Sequence, residues 1–131
     1  DDKIMDENFF LYFENTDMCL NVRKKGHKIF AIKNLKFIHS GMKSSNKKFE
    51  FEINKSRNWH YCWSKFYFYK KNFSYLYALK KILPNIYRST TTIIRSIIQK
   101  DKNNYELAKA ELSGSLRSLL LKDSTYRPKV N

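Results

Sequence analysis

From Ile53 to Lys100 the chain contains no Asp or Glu, yet the stretch holds ten Lys and Arg and eleven aromatic residues. Such a segment has to shelter its rings while leaving its cations in water, and it supplies no carboxylate of its own to pair them. The 131 residues carry 26 Lys and Arg against 12 Asp and Glu, a formal net charge of +14, and ten of those net charges fall in this stretch. A balance this basic implies an anionic partner: nucleic acid, a phosphate-bearing small molecule or an acidic membrane surface. Disorder is excluded by an aromatic content of 16%. Three Gly and two Pro exclude collagen-like and low-complexity chains. Two cysteines, Cys19 and Cys62, make no disulfide framework, so nothing requires an oxidising compartment.

Eight of the twelve acids lie in residues 1–52, which gives a mixed-charge head before the basic aromatic middle. The length allows one domain or part of one, and a start at Asp1-Asp2-Lys3, without Met, suggests a piece of something longer. That start lacks the basic and apolar regions of a signal peptide. No run reaches the roughly 18 apolar residues a membrane span needs. The best candidate, Phe73–Leu83, is broken by Lys80 and Lys81.

Phe9–Phe13 reads as a buried strand or tight entry segment. Asn15 or Thr16 is placed to cap a helix with Asp17 in its first turn, Met18, Cys19 and Val22 on its apolar face, and Gly26 ending it. Lys28–Ile32 and Leu35–His39 read as two strands around a Lys33-Asn34 turn, and Ser40–Lys48 as a loop. A helix is expected from Asn58, with Trp59, Trp63, Phe66, Tyr67 and Lys70 on one face. A second is expected over Asn72–Leu83, ended by Pro84. A third follows over Asn85–Gln99, and a last one, capped by Asn103 or Asn104, runs to about Lys122. The tail to Asn131 is expected to fray.

Three constellations could carry chemistry. Asp6, Glu7, Glu14 and Asp17 bracket the aromatic run, and Glu14 and Asp17 could bring two carboxylates to one cleft, one as general base. Helix capping and dipole compensation explain the same residues without catalysis. His39, at a strand end beside Ser40-Gly41, suits a metal or phosphate site, although a lone His is commonly an ordinary hydrogen-bonded residue. His27, His60 and the two cysteines make no zinc pattern. In the basic aromatic stretch, Trp59, Tyr61, Trp63, Tyr67, Tyr69, Tyr75 and Tyr77 interleave with Lys65, Lys70, Lys71, Lys80 and Lys81. Such a mixture suits a membrane interface, a surface that stacks bases and neutralises phosphates, or a helix pair packed on its own core with a solvated basic rim. A phosphate-cradling Gly-rich loop, a G-x-S-x-G elbow and an RNA-recognition signature are all missing.

The order of three motifs narrows the choice. Asp6-Glu7-Asn8-Phe9-Phe10-Leu11-Tyr12-Phe13-Glu14-Asn15-Thr16-Asp17-Met18-Cys19-Leu20, with Arg23 and Gly26 after it, resembles a run of the form D-E-x-F-F-x-Y-x-E-D-x-D-L-x-x-R ending in Gly. Ala31 to Gly41 is similar to a strand pair ending in I-H-x-G. Arg57 to Lys71 is similar to an aromatic helix that follows a catalytic domain. Together, over roughly residues 4 to 80, they resemble the C-terminal half of a family 2 glycosyltransferase of the rhamnosyltransferase-like group, which has a GT-A fold.

That resemblance implies transfer of a sugar, hexosyl or rhamnosyl, from a nucleotide-sugar donor to a hydroxyl of a glycan or lipid-linked acceptor in polysaccharide or glycolipid synthesis. It implies an α+β fold: residues 1–52 as the acceptor-side part of a GT-A domain, with a short helix and a β-hairpin, and residues 53–131 as a mostly helical basic extension. Carried over, Glu14 matches the Glu of the E-D pair and His39 the histidine beside the divalent cation, Mg or Mn. The family's base position holds Asn15, which takes no proton at neutral pH, so Glu14 or Asp17 is left to serve. Asp6, Glu7 and Arg23 match the rest of the motif. The family's N-terminal half, with the D-x-D motif that mainly holds the cation, has no counterpart here, so the chain alone is expected neither to bind donor nor to turn over. Its location is expected to be cytoplasmic, peripheral on the inner membrane face. Trp59, Trp63, Lys65, Tyr67, Lys70 and Lys71 are then expected at the interface with anionic lipid. The rival readings are a small nucleic-acid-binding module, disfavoured because it leaves the motifs unexplained, and an interaction domain derived from a dead enzyme.

Overall fold

The computed structural model describes residues 5–38 and 47–127. Four α-helices occur among them: α1 (Glu14–Lys24), α2 (Glu50–Asn72), α3 (Tyr75–Gln99) and α4 (Lys102–Leu119), with a 3₁₀ turn at Lys47–Phe49 leading into α2. Helices α2, α3 and α4 pack against one another as a three-helix unit. Its turns are short, Phe73-Ser74 and Lys100-Asp101, so neighbouring helices run antiparallel.

Local chemistry accounts for the boundaries. Helix α2 opens on Glu50 and Glu52 and closes on Lys70 and Lys71, the arrangement the helix dipole favours. Ser74 caps α3 by accepting a hydrogen bond from the Tyr77 amide at 3.1 Å. Asp101 caps α4 in the same way, accepting from the Asn104 amide at 3.0 Å. Lys100 reverses the chain between α3 and α4 in the left-handed region, with φ 55°.

The core is built where α2 meets its partners. Cys62 and Phe66 of α2 pack with Ala78 and Ile82 of α3. Trp59 and Trp63 pack with Ala110 of α4. Gly114 lets α2 and α4 approach closely: a Cβ there would lie 2.3 Å from the Trp59 carbonyl oxygen. Each buried indole N–H finds an acceptor, Trp59 at Ser113 Oγ (3.3 Å) and Trp63 at the Lys122 carbonyl (2.8 Å).

Several expectations are corrected. The fold is not α+β: no strand occurs among the described residues, and the hairpin expected over Lys28–Ile32 and Leu35–His39 is not formed as far as Ile38. What remains of it is the turn, where the Leu35 amide donates to the Ile32 carbonyl at 3.5 Å. An isolated two-stranded hairpin is marginal in water without a surface to bury its apolar face, and residues 28–38 are all exposed. The α+β reading of residues 1–52 falls with the hairpin. Helix α1 starts at Glu14, ahead of both expected caps, on Phe13 at φ 67° and with no side-chain cap. Helix α2 starts eight residues before Asn58, and α3 runs through Pro84 as one helix rather than ending there. The tail is docked at least to Arg127, with Tyr126 stacked on Trp59 at 5.4 Å between ring centroids.

Candidate functional site

The aromatic run is an entry segment laid along α2. Phe9 is buried edge-on against Tyr67, with centroids 5.0 Å apart. Phe13 packs on Phe68 at 5.4 Å, and Ser64 Oγ donates to the Leu11 carbonyl at 2.8 Å. Tyr12 and Phe13 both take positive φ, an unfavourable backbone for bulky residues that their ring contacts to α2 sustain. The run thereby delivers Asp6 to one side of the C-terminal end of α2, and α1 follows with Asp17 facing the same place.

Lys71 joins them. Its Nζ lies 2.7 Å from Asp6 Oδ2 and 2.7 Å from Asp17 Oδ2. Asp17, wholly buried, also accepts from Asn72 Nδ2 on Oδ1 (2.7 Å) and from Asn21 Nδ2 on Oδ2 (3.0 Å). Asp6 accepts further from the Tyr67 hydroxyl (3.0 Å) and the Asn8 backbone amide (3.0 Å). Lys24 Nζ donates to Asn72 Oδ1 at 2.9 Å. Burial alone would raise the Asp6 carboxyl, but the Lys71 ammonium, the Asn8 amide and the Tyr67 hydroxyl overcome it and hold the pKa at about 2. Burial would likewise lower Lys71, and its two carboxylate partners raise it instead.

The cluster floors an open cleft of about 620 Å³, lined by Met5, Asp6, Glu7, Asn8, Asn21, Lys24, Lys25 and Lys71. Nearly every lining group is a hydrogen-bond donor or acceptor, with both charge signs present. This suits a polar, hydroxyl-bearing ligand better than an apolar one.

The expected site residues divide. Asp6, Glu7, Asp17 and Lys71 meet at or under this cleft. Glu14, at the start of α1, is half-buried, and its Oε2 is shut off from solvent with no hydrogen-bond partner among the described residues. Asn15 and Arg23 are exposed on α1, Asn15 near its start and Arg23 near its end. His39 lies outside the described residues. Among the expected interface residues, Trp59 and Trp63 are core. Lys65 donates to Asn85 at 2.7 Å, Tyr67 is held on Asp6, and Lys70 is exposed. The residues missed from the sequence are Asn21, Lys24 and Asn72, whose roles appear only once α1 lies against α2.

His60, set aside in the sequence, is buried beneath the tail. Its Nε2 faces the Tyr126 carbonyl at 3.0 Å and its Nδ1 the Ser124 hydroxyl at 3.0 Å. A carbonyl only accepts, so this network assigns the proton to Nε2 and has Ser124 donate to Nδ1. Burial, with the Arg127 charge, lowers the His60 pKa against the opposing Tyr126 bond.

A divalent cation does not fit the cluster. Asp6 and Asp17 already share the Lys71 ammonium between them. No group of three or more His, Cys, Asp or Glu among the described residues is arranged to hold a metal. No helix among them is long and apolar enough to cross a membrane. Comparison with protein-family models, with curated proteins and with solved structures finds no match.

Proposed function

We propose that the chain is the acceptor-side part of a glycosyltransferase that moves a sugar from a nucleotide-sugar donor to a hydroxyl of a glycan or lipid-linked acceptor. One observation carries the reading. Segments that resemble two separate motifs of such enzymes, one running from Asp6 and the other ending at Lys71, meet in a polar cleft through a residue pair 65 positions apart in sequence. The cleft's mixed donors and acceptors match the chemistry of a sugar hydroxyl cluster. Asp17 gives its carboxylate to Lys71, Asn21 and Asn72, which makes it the residue that fixes α1 against α2. With Asn15 at the family's base position, the resemblance leaves Glu14 as the carboxylate we assign as general base. It stands beside the cleft rather than in its lining, so it would have to turn towards the acceptor hydroxyl to act. The donor diphosphate and its Mg or Mn ion belong outside this cleft, whose two buried-side carboxylates, Asp6 and Asp17, are taken up by Lys71. The proposed location is cytoplasmic, peripheral on the inner membrane face. A nucleic-acid module is less well supported, because Trp59 and Trp63, its best stacking rings, are in the core.

Saturation-transfer NMR with a panel of oligosaccharides tests the acceptor role. Signal transfer to a subset of glycans, lost in Asp6→Asn and Lys24→Ala, is expected, while nucleotide sugars give none with this chain alone. Absence of transfer to any glycan, together with salt-sensitive retention of polynucleotide, would refute the reading.

A further inference from the structure

We infer that the outward face of α3 is a docking surface for an anionic phospholipid bilayer, with the helix lying in the membrane plane. This deepens the peripheral location proposed above and does not depend on sugar transfer.

Helix α3 buries Ala78 and Ile82 in the core, yet it also carries large apolar side chains on the side turned to solvent, which a water-exposed helix of a globular protein keeps polar. From its middle onward the side turned to α2 and α4 carries Asn85, Ser89 and Ser96, all buried. They are tied in by hydrogen bonds: Asn85 accepts from Lys65 at 2.7 Å, and Ser89 donates to the Asn85 carbonyl at 2.7 Å and to Glu111 at 3.2 Å. The solvent side carries Leu76, Leu83, Tyr87, Ile94, Ile97 and Ile98, between 52% exposed (Leu83) and 76% (Ile98). Positions 76, 80, 83, 87, 90, 94 and 98 follow one another at three- and four-residue steps, so they form a single stripe. It is about 33 Å long at 1.5 Å per residue.

Thr90, on this stripe, and Thr91, beside it, turn their hydroxyls back onto the helix. Thr90 Oγ1 donates to the Ile86 carbonyl at 2.8 Å, and Thr91 Oγ1 to the carbonyls of Tyr87 and Arg88 at 3.1 and 2.9 Å. Apart from Lys80, whose long side chain can carry its ammonium out to headgroup level, the face thus presents little unsatisfied polarity, as contact with acyl chains requires.

Charge selects the occupant. Helix α3 carries Lys80, Lys81, Arg88 and Arg95, followed by Lys100, and no acid. Arg88 is answered by Glu111 of α4, but a second copy of the chain docked face to face would bring the other cations together with no carboxylate on α3 to answer them. An anionic bilayer surface offers apolar depth and negative headgroups together. The helix falls short of a membrane span, which leaves the in-plane orientation. The membrane contact expected from the sequence lies on the aromatic side of α2, but Trp59 and Trp63 point inward there.

Vesicle sedimentation with the whole chain tests this, using phosphatidylcholine alone and phosphatidylcholine with 30 mol% phosphatidylglycerol, about a physiological anionic fraction. The triple variant Leu83→Gln, Ile94→Gln, Ile98→Gln keeps the net charge, so any change reads the apolar face alone. We expect binding to the anionic vesicles that falls at least about tenfold in the triple variant, whereas Lys70→Gln on α2 loses less than about fivefold. Should the triple variant not fold, spin-labelled lipid is used with the unaltered chain: methyl signals of Leu83, Ile94 and Ile98 should broaden before that of the buried Ile82. Triple-variant binding equal to wild type overturns the surface assignment and leaves peripheral location standing. Failure of the wild-type chain to bind either vesicle overturns both. A concentration-dependent dimer abolished by the triple variant, without lipid binding, assigns the face to a second copy and also overturns the inference.

Discussion

Replacing Lys71 with Met removes the one cation that holds both motif carboxylates while keeping most of the side chain's volume. Two charge-assisted hydrogen bonds disappear, each worth about 1.5–3 kcal/mol in favourable settings. Both acceptors keep other donors, Asp17 from Asn21 and Asn72, Asp6 from Asn8 and Tyr67. The Lys71 side chain retains 29% exposure, so solvent already screens part of the interaction. Against that, Asp17 is left with 1% side-chain exposure and no counter-ion among the described residues. Balancing these, the variant should lose about 2–3 kcal/mol, or roughly 6–12 °C in Tm for a chain of this size. Urea unfolding at pH 7 followed by circular dichroism gives the number, and amide exchange should show the loss of protection concentrated in α1. The Asp6 carboxyl sits at about 2 when folded against 3.8 for the free group, so its share of the stability is present above pH 3.8 and is lost as pH falls towards 2. The gap between wild type and variant must therefore narrow over that window. A loss below about 0.5 kcal/mol at pH 7 would place the cluster among ordinary surface ion pairs and refute its role as the anchor of α1.

Gly114→Ala should destabilise by about 2–3 kcal/mol, read by thermal unfolding, because the new methyl meets the Trp59 backbone rather than a movable side chain. His60 takes up a proton less readily when folded than the 6.5 of the free group, so the stability tied to its neutral form is complete above pH 6.5 and declines below it. Tail docking, read from Trp59 fluorescence as the stacked Tyr126 leaves, should weaken as pH falls below 6.5, and His60→Gln should flatten that response. The Cys62 thiol is buried and pushed up to about 11, so a thiol reagent at pH 8 should leave it unmodified in the native protein and label it in urea.

Much of the helical content is legible in the sequence. The basic last turn of α1 and Gly26 after it at φ 84° act through local electrostatics and backbone freedom, which short segments carry in full. The hairpin is not legible in this way, because alternation around Lys33-Asn34 records a preference, and a strand needs a partner surface that residues 28–38 do not have among the described residues. Pro84 is a misleading stop signal. It deprives α3 of one backbone donor, but the helix continues because Ile82, Asn85 and Ser89 on either side of it are anchored in the bundle. The site is legible as a set of residue types and not as an arrangement. Asp6, Asp17 and Lys71 all stand out in the sequence, but Lys71 reads there as a lipid contact, since nothing local links it to a carboxylate 65 positions earlier.

The acid-free stretch resolves into two opposite solutions to one problem. On α2 the rings go inward and most of the cations are placed by contacts: Lys55 with Glu52 and Glu106, Lys65 with Asn85, Lys71 with Asp6 and Asp17. The acids this part of the chain lacks are supplied by the head and by α4, which explains how so basic a segment packs at all. On α3 the same accounting fails to close. Arg88 reaches Glu111, but that helix turns Ser and Asn to the bundle and Leu, Tyr and Ile to solvent. A hydrophobic stripe of this length at helical spacing is ordinarily read as core. Here the buried residues reveal its direction: the inner side of α3 is filled by Ala78, Ile82, Asn85, Ser89 and Ser96, and the exposed Leu76, Leu83, Tyr87, Ile94, Ile97 and Ile98 lie away from it. Burying those side chains requires a surface from outside the described helices, and the uncompensated cations beside them require that surface to be negative.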